Sequence, residues 1–331
     1  MKWKMLLIAL LASLFILVSI VNAQVWEEWV AMYNGPGDDW DRPYSIGIDA
    51  NGSIYVTGYS YGESGYADYA TIKYDAGGRE LWVVRYDGPM SAGDYAKCLG
   101  ISNDGYIYVT GYSNHTSCYD YATVKYDSTG EELWVTRYNS QYNYKDYAQS
   151  LALDDVGNVY VTGYSGSPGI PVIDYDCVTI KYNSLGEEQW VATYSGAAEE
   201  NDKSFDVAVD HNDNSYITGY TYGATGWDFL TIKYNTDGEE QWVSIWDNPG
   251  LWPSPTDLAL DNDCNVFITG STEPYVEGHA VTIKYNSDGE ERGWQNISVQ
   301  VRFKKPQQIQ LQLMIVVTFI LQDVQESIPK M

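Results

Sequence analysis

The stretch Tyr126-Asp127-Ser128-Thr129-Gly130-Glu131-Glu132-Leu133-Trp134-Val135 decides the fold, because copies of it recur along most of the chain. The same order of Tyr, a turn ending in Gly, an acidic strand start and Trp-Val runs from Tyr74 to Val83, from Tyr182 to Val191 and from Tyr234 to Val243. A last copy, Tyr285-Asn286-Ser287-Asp288-Gly289-Glu290-Glu291, loses the pattern at Arg292. Tryptophans fall in series at 29, 82, 134, 190, 242 and 294.

Working outward, each copy is preceded by Thr-Ile-Lys-Tyr or Thr-Val-Lys-Tyr, and before that by a strand-like segment ending Thr-Gly. The glycines of that segment, Gly58, Gly111, Gly163, Gly219 and Gly270, are 53, 52, 56 and 51 residues apart. A fourth run of the Leu-Ala-Leu-Asp type, as at Leu151 to Asp154, completes a period of about 52 residues. Four short runs with period-two alternation, bounded by Asp, Asn and Gly turns, describe a four-stranded antiparallel meander. We label its strands a to d, with Ala148 to Asp154, Asn158 to Ser165, Asp174 to Asn183 and Glu188 to Tyr194 as the example. Repetition at this length predicts an all-β fold, a β-propeller of four-stranded blades with five visible. Gly47, Gly100, Ala152, Ala208 and Ala259 are small where a strands crowd together, and Val25 to Tyr33 is expected to be a lone d strand that closes the ring.

The segments Asn158 to Gly163, Asp120 to Tyr126 and Gly130 to Val135 resemble the bacterial and archaeal seven-bladed β-propeller repeat family, the SBBP repeats, over roughly residues 25 to 291. The resemblance implies a secreted or surface protein and carries over no catalytic residues. Five repeats are present where the family name suggests seven.

The flanks differ from the repeats. Met1-Lys2-Trp3-Lys4, the apolar run to Val21 and Val21-Asn22-Ala23 make residues 1–23 a secretory signal peptide, with an uncleaved anchor as the other reading. Secretion, the cell surface or the periplasm is the expected compartment. Residues 24–291 form the repeat domain. Residues 292–331 hold none of the 31 tyrosines, and 5 basic against 2 acidic residues where 24–291 holds 12 against 43. With permitted third bases, the shifted frame across Ile309 to Asp323 spells Asn-Ser-Ile-Ala-Val-Asp-Asp-Ser-Gly-Asn-Ile-Tyr-Ile-Thr-Gly, another a–b hairpin. The tail therefore reads as an aberrant, out-of-frame sixth repeat.

Composition narrows the chemistry. A net charge of -26 repels phosphate backbones and anionic lipid, which excludes nucleic acid and membrane insertion after signal cleavage as expectations. Cys98, Cys118, Cys177 and Cys264 lack zinc or redox spacing; a Cys98–Cys118 bridge and isolated packed thiols remain the two readings. His115, His211 and His279 share neither repeat position nor ligand spacing. Gly58-Tyr59-Ser60-Tyr61-Gly62 matches G-x-S-x-G but is followed by no helix. Adjacent glutamates such as Glu131-Glu132 point to opposite strand faces and cannot straddle a glycosidic bond. Asp210 to Asn214 and Asp261 to Asn265 read as turns, with weak calcium binding as the alternative and no other cofactor expected.

Two repeated series are read as structural. Lys73, Lys125, Lys181, Lys233 and Lys284 are expected to ion-pair with acids at blade interfaces, and Trp82, Trp134, Trp190 and Trp242 to pack between blades, as in the tryptophan-docking motif of quinoprotein propellers that the stretch resembles. The b–c and d–a loops gather Trp40, Tyr59, Tyr61, Tyr112, Tyr164, Tyr220, Tyr222 and Trp252 as a candidate face for an extracellular glycan or protein. The expected function is a non-catalytic binding module; the alternative is a propeller enzyme, polysaccharide-active or quinoprotein-like.

Overall fold

Period-two alternation puts one set of side chains on each face of a strand, and here both faces are apolar enough to be covered by neighbouring sheets. The computed structural model describes residues 27–115, 118–169, 173–196, 200–223, 226–247, 254–272 and 280–297. Twenty strands form five four-stranded antiparallel sheets, each in chain order. Blade 1 holds β1 (Asp41–Ile48), β2 (Ile54–Tyr61), β3 (Ala67–Tyr74) and β4 (Glu80–Tyr86). Blade 2 holds β5 (Asp94–Ile101), β6 (Ile107–His115), β7 (Cys118–Tyr126) and β8 (Glu132–Tyr138). Blade 3 holds β9 (Asp146–Leu153), β10 (Val159–Ser167), β11 (Asp174–Tyr182) and β12 (Glu188–Tyr194). Blade 4 holds β13 (Lys203–Val209), β14 (Ser215–Tyr222), β15 (Trp227–Tyr234) and β16 (Glu240–Trp246). Blade 5 holds β17 (Ser254–Leu260), β18 (Val266–Ser271), β19 (Ala280–Tyr285) and β20 (Glu291–Ile297). The a strands β1, β5, β9, β13 and β17 adjoin one another in series, which is the β-propeller arrangement.

The hairpins follow from local chemistry. In the opening stretch the Asp127 carboxylate accepts from the backbone N–H of Thr129 at 2.8 Å and of Glu131 at 2.9 Å, and Gly130 takes φ 89°, which closes β7 onto β8. Gly163 answers a different need. The a–b ladder has a bulge between Thr162 and Gly163, and a methyl on Gly163 would overlap the Tyr147 carbonyl oxygen of β9. Gly58, Gly111, Gly219 and Gly270 meet the preceding strand in the same way, which explains why Thr-Gly recurs. The small a-strand series is also accounted for, since a Cβ on Gly47 would lie 2.8 Å from Leu99 and one on Gly100 2.6 Å from Leu151, each in the following blade.

Cores lie between blades. Tyr55 and Tyr69 of blade 1 are buried with Leu99, Ile107, Val109 and Tyr126 of blade 2, and the Tyr69 hydroxyl donates to the Ala122 carbonyl at 3.1 Å. Each repeat tryptophan docks on the next blade's c–d turn. Trp134 Nε1 donates to the Ser184 carbonyl at 3.3 Å, and its ring lies over Gly186 (φ 83°), where a Cβ would come within 2.8 Å. Trp82, Trp190 and Trp242 do the same to Ser128, Thr236 and Ser287 at 3.2, 3.0 and 3.1 Å.

The lysines correct an expectation, because none of the five has an ion pair among the described residues. Lys73, Lys125, Lys181 and Lys233 donate instead to those same carbonyls of Ser128, Ser184, Thr236 and Ser287, at 3.0, 3.0, 3.5 and 3.1 Å. Each also sits over its own blade's b-strand ring, Lys125 at 4.9 Å from the Tyr108 centroid and Lys284 at 4.8 Å from that of Phe267. A backbone oxygen and a ring face replace the carboxylate because the turn brings no acid to this point. Burial holds the Lys125 ammonium below the ordinary lysine range.

Two further differences concern the ends, and the thiols follow one of their two readings. Residues 27–33 form no strand, and the fourth strand of blade 5 is β20, so the N-terminal segment does not supply it. Trp29 nevertheless docks like the others, with Nε1 on the Ala76 carbonyl at 3.2 Å and its ring over Gly78. β20 extends six residues beyond 291. Its register sets Gly293, not Trp294, opposite Lys284, whereas Trp134 stands opposite Lys125. The repeat thus slips by one residue just after Arg292. The expectations for residues 1–23 and for 298–331 lie outside the described residues. No disulfide joins the four cysteines.

Candidate functional site

The b strand leaves its Thr-Gly bulge with a tyrosine, and the a strand of the following blade brings an aromatic to meet it. Tyr59 packs against Tyr95 at 5.0 Å between centroids, Tyr112 against Tyr147 at 4.9 Å, and Tyr164 against Phe205 at 6.4 Å. Within blades, Tyr95 meets Tyr112 at 5.2 Å, Tyr147 meets Tyr164 at 5.2 Å, and Phe205 meets Tyr220 at 5.3 Å. Tyr220 continues to Trp227 at 4.6 Å, and Trp227 to Tyr222 at 5.0 Å. The result is an unbroken aromatic belt across blades 1 to 4, at the end from which the b–c and d–a loops leave.

The belt brings together Tyr59, Tyr61, Tyr112, Tyr164, Tyr220 and Tyr222 of the expected face. It corrects their character, since Tyr59, Tyr61, Tyr112, Tyr164 and Tyr220 are half-buried in ring-to-ring contacts rather than standing free. Burial accordingly raises the phenol of Tyr220 to about 12. Trp40 is 62% exposed and carries the Arg42 guanidinium 4.6 Å above its ring. Trp252 lies outside the described residues.

Lysines that sequence reading did not single out sit on the belt. Lys97 lies 4.0 Å from the Tyr44 centroid, Lys145 5.9 Å from Tyr119, and Lys203 4.7 and 4.6 Å from Tyr164 and Tyr175. Their signal was a cation in the a strand or the loop before it, seen only when blades are aligned side by side. In a chain of net charge -26 they set three ammonium groups directly against tyrosine rings.

Beneath the belt runs a row of aspartates that begin the a strands. Asp94 accepts from the Gly88 N–H at 2.7 Å and the Asn114 N–H at 3.1 Å, and Asp146 from the Ser140 N–H at 2.8 Å. These carboxylates tie down the d–a loops. Asp68, Asp87 and Asp94 place three carboxylate oxygens within 4.8 Å of one another, but Arg85 holds Asp68 at 2.7 Å and Asp94 is occupied by backbone. The expected calcium-like turns behave similarly, with Asp210 accepting from Asn212 N at 2.8 Å and Asn214 N at 3.0 Å.

A second acidic group lies on the a strands of blades 4 and 5. Asp206 accepts from the Ser150 hydroxyl at 2.7 Å and the Leu258 N–H at 2.8 Å, and the Asp257 carboxyl adds to the rise of its pKa. Burial pushes Asp206 up to about 6. Asp202 and Asp228 are raised to about 6 by burial too. An aspartate whose folded value exceeds its unfolded value of about 3.9 destabilises the fold when ionised; that loss is complete above about pH 6 and vanishes below about pH 4. The protein is therefore expected to melt at a higher temperature at pH 5 than at pH 7.5. Asp206→Asn should raise the melting temperature at pH 7.5 and not at pH 5, measured by calorimetry; an equal effect at both would show that ionisation of Asp206 is not responsible.

The other sequence motifs resolve structurally. Ser60 of the G-x-S-x-G match is buried and takes a hydrogen bond from Arg85 at 2.7 Å. The paired glutamates at Glu131 and Glu132 are exposed. His115 meets Asp120 at 3.1 Å, and His211 Nδ1 lies 3.6 Å from the Cys264 sulfur. His279 lies outside the described residues.

No curated protein matches the chain. Among solved structures it is similar to an ulvan lyase of the polysaccharide lyase family PL25, at 16% identity over 77% of this chain and 71% of that one with a TM-score of 0.50. The polysaccharide lyase Uly1 matches at 11% identity over 85% and 78%, TM-score 0.49. A gluconolactonase from Xanthomonas campestris matches at 15% identity over 69% of each chain, TM-score 0.39. At such identities the ulvan lyase likeness speaks for the fold alone. Residues 28–66, 133–170 and 189–224 match the family model described as beta-propeller repeat, SBBP, so three regions of the chain are shown to be similar to SBBP repeats.

Proposed function

We propose that the protein is an exported, non-catalytic binding module that recognises an extracellular glycan through the aromatic belt and its lysines. The observation that carries this reading is the continuity of the belt over four blades, with Lys97, Lys145 and Lys203 on its rings. Aromatic rings take the apolar faces of sugars, and ammonium groups beside them favour sugars bearing carboxylates. The basic, apolar N-terminal leader supports export. Binding should be measured by calorimetric titration with neutral and uronate-containing oligosaccharides. Trp40→Ala and Tyr222→Ala, at exposed positions where folding is not at stake, are expected to weaken binding about tenfold each, the size of one lost stacking contact. Unchanged affinity in both, or no binding by any sugar while a protein partner binds, would overturn the glycan reading.

The enzymatic alternative has one observation behind it, the Asp206–Asp257 carboxyl pair with Asp206 raised to about 6. A carboxyl near that value suits proton transfer at neutral pH. Turnover of a polysaccharide that Asp206→Asn abolishes would favour it.

A further inference from the structure

Below the belt, an aspartate near the start of each c strand comes close to the aspartate that opens the next blade's a strand. Asp68 of β3 and Asp94 of β5 are the first such pair, with carboxylate oxygens within 4.8 Å of each other. Asp120 and Asp146 repeat the pairing between blades 2 and 3, and Asp176 and Asp202 between blades 3 and 4, each pair close enough for one charge to raise the other's pKa. Like charges brought together in a buried place are costly unless a cation lies with them.

The first two pairs have cations built in. Arg85 of β4 donates to Asp68 Oδ2 from Nη2 at 2.7 Å and from Nε at 3.1 Å, and to the Ser60 hydroxyl at 2.7 Å. Arg137 of β8 lowers the pKa of both Asp94 and Asp120, and His115 meets Asp120 at 3.1 Å. Strand register shows what happens at the third pair. Arg85 stands opposite Ala70 and Arg137 opposite Ala122, but Thr193 stands opposite Val178 in blade 3 and Ile245 opposite Leu230 in blade 4. Both arginine positions that would serve Asp176 and Asp202 are thus uncharged. Lys203 does not replace them, because its ammonium lies over the rings of Tyr164 and Tyr175 and makes no ion pair among the described residues.

The loss leaves a mark. Asp202 is 1% exposed; its Oδ2 accepts from the Gly196 N–H at 2.5 Å and the Thr221 hydroxyl stands beside the carboxyl, yet Oδ1 has no hydrogen-bond partner. Asp176 Oδ1 is buried and without a partner as well. Buried carboxylate oxygens are nearly always satisfied, so two orphans facing each other across the acidic junction that lacks arginine point to a cation. Thr193 is exposed, which leaves a small ion open access to the side from which a guanidinium reaches Asp68 in blade 1.

We propose that Asp176 and Asp202 bind a divalent cation, calcium by their oxygen-only donors, which bridges blades 3 and 4 in the role that arginine plays in blades 1 and 2. Asp174 adds negative charge nearby but is not a third close ligand, since among the described residues only Asp68, Asp87 and Asp94 gather three such oxygens within 4.8 Å. Two carboxylates completed by water make a weak site, with a Kd on the order of 10⁻⁴–10⁻³ M, the range of extracellular calcium modules. The site is separate from the belt and does not depend on what the belt binds.

The test is calorimetric melting of the full chain at pH 7.5, where Asp202, raised to about 6, is ionised. Melting in CaCl₂ at about 10 mM, above the expected Kd, is compared with melting in NaCl of equal ionic strength. Calcium is expected to raise the melting temperature by about 3 °C over NaCl. Asp202→Asn should abolish that shift. Thr193→Arg should abolish it too, and should itself raise the melting temperature in NaCl, because it restores the side-chain cation beside Asp176; a gain in stability cannot come from a failure to fold. Equal melting of the parent in the two salts would overturn the proposal. A calcium shift that persists in either variant would do the same, since the ion would then lie elsewhere, as at Asp68, Asp87 and Asp94.

Discussion

Gly163→Ala is expected to cost about 4 kcal/mol or more of folding stability, at the extreme of single substitutions. The reason is space, not backbone freedom, since Gly163 is extended. Its Cα faces the bulge in β9, and an added methyl would overlap the Tyr147 carbonyl while lying 2.7 Å from the Tyr121 hydroxyl and 2.8 Å from the Ala148 Cα. Two of those groups are backbone, so no rotamer change relieves the overlap, and the a–b ladder must separate. Gly105→Ala is the matched control. Gly105 has φ 86° and nothing within 4 Å of where a methyl would stand, so alanine there meets only the left-handed penalty of about 1–2 kcal/mol. Urea unfolding of both variants measures the difference. If Gly163→Ala were no worse than Gly105→Ala, the Thr-Gly bulge would not be a close approach of two backbones.

Much of this architecture is legible because a repeat averages over its own exceptions. Strand boundaries read from alternation at Asp174 to Asn183 and Glu188 to Tyr194 fall within a residue of β11 and β12, since five aligned copies expose the same turn residues. Partners that are backbone atoms are different. Lys125 recurs visibly, but its acceptor is the Ser184 carbonyl, and any residue at 184 would present one. The belt poses a related problem: a tyrosine after Gly fits a free loop ring and a packed interblade ring equally well, and only the a-strand partner across the blade boundary decides. Asp94 escaped notice because its targets are N–H groups in a d–a loop of variable sequence. Position 294 misled by simple counting, because Lys233 and Lys284 are 51 residues apart, so a spacing of 52 from Trp242 overshoots by one the residue that stands opposite Lys284, which is Gly293.

The blade junction sets the second large expectation. Trp134→Ala should cost about 3–5 kcal/mol, the range for removing a packed tryptophan, because the ring covers Gly186 and meets Tyr108 edge-on at 5.9 Å. Lys125→Met should cost about 1–2 kcal/mol through one charge-assisted hydrogen bond and one ring contact. These two residues are not independent. Indole and ammonium donate to the single Ser184 carbonyl, at 3.3 and 3.0 Å, so after either substitution that oxygen keeps one donor. The double variant leaves it with neither and should therefore lose about 1 kcal/mol more than the sum of the single losses. A double-mutant cycle from urea unfolding measures this coupling, and strict additivity would mean that water takes over the carbonyl once the indole is gone. Because each blade touches only its neighbours, the same cycle on Lys233 and Trp242, which share the Ser287 carbonyl at 3.1 Å each, should return the same coupling.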